Sequence, residues 1–133
     1  MGHESSEILL AEDNSAIQVL LHEVFEDEGY TVTCCSSAAE AIETLQQHTP
    51  ALVISDMHME HIGAGLQLLR QLRQQARTAS TPAIVYSADS LLLRTLKPQI
   101  EALNAVAVEK PFNIDGLVML ARSLIRLQER EAP

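Results

Sequence analysis

Five short runs of aliphatic residues, each the length of one strand, constrain this chain more than any other feature: Ile8–Ala11, Tyr30–Cys34, Ala51–Ser55, Ala83–Ser87 and Ala105–Val108. The run at Tyr30–Cys34 is the weakest and is β-branched rather than purely aliphatic. The runs do not alternate apolar with polar residues, as half-exposed antiparallel strands do. Continuous runs suit parallel strands covered on both faces, so helices are expected between them.

The intervening segments carry helical spacing. Ile17, Leu20, Leu21, Val24 and Phe25 form one apolar stripe, Ala38, Ala41, Ile42 and Leu45 a second, and Leu117, Leu120, Ala121, Leu124 and Ile125 a third near the end. Less regular helices are predicted at about 65–76 and 90–103. Ser37 and Glu40 predict a capping box at the second helix, and Asn113 an N-cap for the last. Pro98 removes a backbone donor inside the fourth helix and predicts a kink or a shortened first half. Asn104 is suited to the left-handed conformation that ends a helix. The order is β-α repeated five times, which right-handed crossovers assemble into a central parallel sheet with helices on both faces. At 133 residues the expectation is one α/β domain over 1–133, with its core at about 7–128 and no room for a separate output domain.

Composition narrows the function. Aromatic residues make up 3% with no Trp, so the core is built from Leu, Ile, Val and Ala. A formal net charge of −9 repels phosphate backbones and disfavours direct nucleic-acid binding. No apolar run approaches the ~20 residues of a membrane span, and Met1-Gly2-His3-Glu4 lacks the basic region and apolar core of a leader, so a cytoplasmic protein is expected. Cys34 and Cys35 are adjacent, a poor geometry for a structural disulfide, and are read as reduced thiols at the core edge.

In open α/β sheets ligands bind beyond the carboxyl ends of the strands. The residues there are polar: Glu12 and Asp13 after the first run, Asp56 after the third, Ser87 at the end of the fourth, and Lys110 followed by Pro111 after the fifth. Three carboxylates held together repel one another unless a cation sits among them. Oxygen-only ligands favour magnesium or manganese, and a doubly charged ion with Lys110 balances the three acids. A carboxylate so placed can attack phosphorus to give an acyl phosphate, provided the metal and lysine neutralise the equatorial oxygens. Ser87 supplies a hydrogen-bond donor for one of those oxygens.

These residues, taken together, resemble the receiver domains of two-component response regulators, over Ile8 to about Leu127. The matching pieces are Leu9-Leu10-Ala11-Glu12-Asp13-Asn14, Val53-Ile54-Ser55-Asp56-Met57-His58-Met59, Ile84-Val85-Tyr86-Ser87-Ala88 and Glu109-Lys110-Pro111-Phe112. The resemblance implies a doubly wound, flavodoxin-like (βα)5 fold with strand order 2-1-3-4-5. It implies that Asp56 accepts a phosphoryl group from a histidine kinase or histidine phosphotransfer protein, and that the domain relays the signal to a downstream protein through a changed surface. Such a domain catalyses only its own phosphotransfer and dephosphorylation. Asp13 and Asp56 would hold magnesium directly, Glu12 through water, and the backbone carbonyl of His58 would complete the protein ligands. Ser87, moving inward, and Lys110 would bind the phosphoryl oxygens, and the Lys110–Pro111 bond would be cis. His58 and Asp89 fall where the family tunes hydrolysis of the acyl phosphate.

The chain also departs from the family pattern. The proline and Asp-Gly turn that often follow the acceptor are replaced by Glu60-His61-Ile62-Gly63-Ala64, and the aromatic switch position, three before the lysine, is Ala107. A free-standing regulator, a receiver from a hybrid kinase or longer regulator, and a phosphorylation-independent docking module therefore stay open. A metal-dependent phosphatase with an aspartyl nucleophile normally carries a second Asp where His58 stands. A flavin-binding version of the fold would need small residues and free amides where Ala11–Asn14 places two acids. His58, Glu60 and His61 offer an incomplete transition-metal set and are read as solvated loop residues. Leu91-Leu92-Leu93 has one leucine more than a core stripe needs and is a partner or dimer contact or core; a monomer or weak dimer is expected.

Overall fold

The structure is a computed structural model that describes residues 6–131. Met1-Gly2-His3-Glu4, and with it the leader argument, lies outside the described residues. Five parallel strands, β1 (Glu7–Ala11), β2 (Thr31–Cys35), β3 (Leu52–Asp56), β4 (Ala83–Ser87) and β5 (Ala105–Glu109), form one sheet in the order β2-β1-β3-β4-β5. The helices are α1 (Ser15–Asp27), α2 (Ala38–Thr44), α3 (Ala64–Gln74), α4 (Ser90–Ala102) and α5 (Ile114–Glu131). This is the expected fold and strand order. None of the described helices is long and apolar enough to cross a membrane.

The continuous apolar runs have their explanation in two core layers. Leu9, Ala11, Val53 and Val85 face α2, α3 and α4, packing with Ala41, Leu69 and Leu93. Their strand neighbours Ile8, Leu10, Ile54, Ile84 and Tyr86 face α1 and α5, packing with Leu21, Phe25 and Ala121. A strand in a sheet covered on both sides has no polar face to display.

Several boundaries shift. Tyr30 is not part of β2; its ring packs edge-on against Phe25, with centroids 6.2 Å apart. Ala51 likewise precedes β3, and Asp56 and Glu109 complete their strands instead of following them. Helix α3 stops at Gln74, because Gln75 is extended (φ −97°, ψ 134°), and Ala76–Thr78 forms a separate 3₁₀ turn. Helix α4 runs through Pro98 without the shortened first half that the proline predicts. Pro98 and Arg94, whose carbonyl loses its donor, are both exposed, so water can replace the missing bond.

Caps follow the sequence with one change. Ser37 accepts from the Glu40 N–H at 3.0 Å, but the Glu40 carboxylate accepts from Ser36 (2.7 Å) and not from Ser37, so only half of the capping box forms. Asn113 Oδ1 accepts from Gly116 at 2.8 Å, and Asn14 caps α1. Asn104 takes φ 55° after α4, as expected.

Candidate functional site

The parallel sheet brings the carboxyl ends of β1, β3, β4 and β5 to one edge, and with them Glu12, Asp13, Asp56, Ser87 and Lys110. Carboxylate oxygens of Glu12, Asp13 and Asp56 all lie within 4.8 Å of one another. Glu12 is 1% and Asp56 8% exposed, whereas Asp13 is open to solvent. The group therefore has a buried floor and one wet side, an arrangement that admits a hydrated cation. Oxygen-only donors at this spacing fit magnesium or manganese better than zinc.

Asp56 is held at both ends of its carboxylate. The His58 backbone N–H donates to Oδ1 at 3.2 Å, and the Lys110 ammonium lies 3.5 Å from Oδ2. Lys110 comes from the loop after β5, which the cis Lys110–Pro111 bond turns and which the Lys110 N–H ties to the Ser87 carbonyl at 2.9 Å. Ser87 is 2% exposed, and its Oγ accepts from the Asp89 N–H at 3.0 Å. Asp89 itself caps α4, accepting from the Leu92 N–H at 3.0 Å.

Burial pushes the Glu12 carboxyl above its ordinary range. Hydrogen bonds from the Tyr86 hydroxyl and the Asn14 N–H work against that rise; nearby Asp56 adds to it and Lys110 opposes it. A buried acid whose charge is raised in cost and only partly offset is one that a cation would relieve.

The alternative ligand set does not assemble. Glu60 turns away to accept from the N–H groups of Ala38 and Ala39, both at 2.9 Å. The ring nitrogens of His61 face the Ile62 carbonyl (3.1 Å) and the Gln67 side-chain oxygen (3.0 Å), and His58 Nδ1 accepts from the Gly63 N–H at 3.3 Å. Among the described residues, Glu12, Asp13 and Asp56 form the group with metal-binding spacing.

Three contributors escape a reading of the sequence. Tyr86 donates its hydroxyl to Glu12 Oε1. Gly65 sits so close to β3 that an added Cβ would stand 2.5 Å from the Asp56 carbonyl oxygen. Gln18 donates to the Glu12 carbonyl and, at 3.2 Å, to Ser36 Oγ. The available signal was the tyrosine: a phenol inside an otherwise aliphatic strand needs a polar partner.

Residues 8–122 match the response regulator receiver domain family. The chain belongs to that family. It is 32% identical over 127 residues to the response regulator Rre1 of Synechocystis sp., covering 95% of this chain and 54% of Rre1. It is also 32% identical over 130 residues to the DNA-binding transcriptional regulator NtrC of Escherichia coli, covering 95% of this chain and 26% of NtrC. This receiver domain thus spans about half or less of the length of those relatives. Among solved structures, the receiver domain of the sensor histidine kinase PA1611 of Pseudomonas aeruginosa, with magnesium coordinated in its active site cleft, superposes with a TM-score of 0.78 at 23% identity. That likeness covers 91% of this chain and 98% of the other and concerns the fold. As a receiver, the chain is a signalling module and not a member of a classical enzyme family.

Proposed function

We propose that Asp56 is the phosphoacceptor of this receiver domain. The observation that carries the reading is the pairing of Asp56 with Lys110 at 3.5 Å on one side and with Glu12 and Asp13 within 4.8 Å on the other. An Asp56 carboxylate oxygen attacks the phosphorus of a phosphohistidine, the P–N bond breaks, the imidazole leaves and takes up a proton, and Asp56 becomes an acyl phosphate. Lys110 meets the charge gathering on the equatorial oxygens. Ser87, once its hydroxyl turns from the Asp89 amide toward the phosphoryl group, donates to another of them.

Asp13 and Asp56 would hold magnesium, or manganese in its place, with Glu12 acting through water and the His58 carbonyl completing the protein ligands. The ion supplies charge neutralisation at the transferring group. The magnesium in the PA1611 receiver supports this assignment by fold analogy. His58 and Asp89 flank the acceptor and are assigned to tuning the lifetime of the acyl phosphate.

The donor is a histidine kinase or histidine phosphotransfer protein in the cytoplasm, and the readout is a downstream protein bound as a monomer or weak dimer. The greater length of Rre1 and NtrC favours a receiver that works within a longer regulator or hybrid kinase. The test is the intact mass after incubation with magnesium and acetyl phosphate. One phosphoryl increment is expected, absent without magnesium and absent in Asp56→Asn; an unchanged mass with acetyl phosphate and with phosphohistidine donors sinks the reading.

A further inference from the structure

Tyr86 touches nearly every part of the site without belonging to its expected set. It is buried in β4, where it is the register partner of Asp56 on β3 and the chain neighbour of Ser87. Its carbonyl accepts from the Met57 N–H at 2.9 Å, just beyond the acceptor. Its ring centroid lies 4.9 Å from the Lys110 ammonium, and Phe112 packs edge-on against it at 5.3 Å. Its hydroxyl donates to Glu12 Oε1, while the Asn14 N–H donates to Oε2 at 2.9 Å.

Two donors from two different elements thus fix both oxygens of a buried carboxylate. Each oxygen keeps a second lone pair for a hydrated cation. A phenylalanine would fill the same space against Phe112 and under Lys110, so packing alone does not account for the hydroxyl. What the hydroxyl adds is the orientation of Glu12.

We propose that Tyr86 is a positioning residue for cation uptake: its hydroxyl holds the Glu12 carboxylate in the arrangement in which Glu12, Asp13 and Asp56 together bind a divalent ion. The inference rests on the metal-dependent reading above and deepens it. Without the hydroxyl, Glu12 has one donor fewer in a dry pocket and either turns away or recruits water, and the preformed acid group is lost.

The test uses free-manganese measurements by electron paramagnetic resonance on the full chain, with no phosphodonor present, for the wild type, Tyr86→Phe, Glu12→Gln and the double variant. Tyr86→Phe is expected to raise the manganese dissociation constant roughly ten-fold, the scale of one charge-assisted hydrogen bond. In the Glu12→Gln background the same change should add almost nothing, because the carboxylate it orients is gone. A ring that merely packs would give fold-changes that multiply. The chain has no Trp and two Tyr, so Tyr30→Phe leaves Tyr86 as the only such chromophore. Its near-ultraviolet absorption should then shift on adding magnesium, and should not in Tyr30→Phe combined with Glu12→Gln. Multiplying effects, an unchanged constant in Tyr86→Phe, or a silent chromophore overturns the proposal while leaving the metal reading intact. A wild type that takes up no manganese overturns both.

Discussion

Glu60 accepts a hydrogen bond from the backbone N–H of Ala38 at 2.9 Å, so the loop after the phosphoacceptor strand is tied to the first turn of α2. Its second oxygen takes the Ala39 N–H at the same distance. Slight burial works against ionisation, but the N–H groups of Ala38, Ala39 and Glu60 itself, with His61 nearby, outweigh it and hold the carboxyl below its ordinary 4.5. A carboxyl lowered on folding adds stability above its ordinary value, and that stability is lost as pH falls through the folded value. Glu60→Gln should therefore lower the melting temperature at pH 7, by the equivalent of about 0.5–1 kcal/mol for an exposed, screened cap. The gap to wild type should close as pH drops below 4.5. Thermal melts of both proteins from pH 3.5 to 7 check this, and a gap that does not change with pH would contradict it.

The Gly65 N–H donates to the Met57 carbonyl at 2.9 Å, and no room remains for a side chain. A Cβ at Gly65 would meet the backbone of Asp56 at 2.5 Å and Met57 Cα at 3.0 Å, and backbone cannot swing aside as a flexible side chain can. Gly65→Ala should cost roughly 2–3 kcal/mol by overpacking and displace the acceptor strand from α3. Urea denaturation gives the stability. Acetyl phosphate labelling of the folded fraction should also fall, whereas Gly116→Ala, with nothing nearer than 3.7 Å, should leave labelling unchanged.

Ala107 pairs with Val85 across β4 and β5, on the sheet face toward α4, and is exposed. An open cavity of about 600 Å³ lies beside it, walled by Leu93, Arg94, Lys97, Ile100 and Ala105. Tyr86, one residue on from Val85, points to the opposite layer, so it does not stand in for the missing ring. Ala107→Phe should consequently be tolerated, with stability unchanged or raised by up to about 1 kcal/mol as the ring covers apolar wall. Ala121→Phe, at a fully buried alanine of α5, should cost roughly 3 kcal/mol or more. Equilibrium unfolding of the two variants side by side decides it.

The Arg73 guanidinium closes the far end of the sheet. Nε donates to the Leu103 carbonyl at 2.7 Å, and Nη1 to Thr81 at 2.6 Å and Ala79 at 3.1 Å. It joins the end of α3 to the entry of β4 and to the turn before β5. Partial burial lowers its pKa from the ordinary value, so the carbonyls must compensate for lost water. Arg73→Ala should cost about 2–3 kcal/mol, and Arg73→Lys should recover less than half of that, because a point ammonium cannot span the fork. Chemical denaturation midpoints of the three proteins measure both effects.

The residues legible in the sequence are those whose role follows from position along a strand. Asp56, Ser87 and Lys110 stand at carboxyl ends, and a parallel sheet gathers such ends whatever the details of packing. Asn104 was legible because few residues take φ 55° at low cost. Tyr86 was not, since a ring in an aliphatic run reads as core until the register sets its hydroxyl beside Glu12, which lies 74 residues earlier. Glu60 was misplaced for a similar reason: its partners are amides of α2, and backbone donors leave no mark in a sequence. Pro98 misled in the other direction, because its penalty depends on whether the deprived carbonyl is buried or wet.

The account stands on Asp56 as the residue that carries the phosphoryl group. The most direct measurement is reduction of the acetyl phosphate-treated, magnesium-loaded protein with borohydride, which converts an acyl phosphate to an alcohol, followed by peptide mass mapping. The account predicts homoserine at position 56 alone, and none in protein treated without magnesium. Homoserine at position 13, a reduced residue at position 12, or an acid-labile phosphoryl group on a histidine with Asp56 unmodified would contradict it.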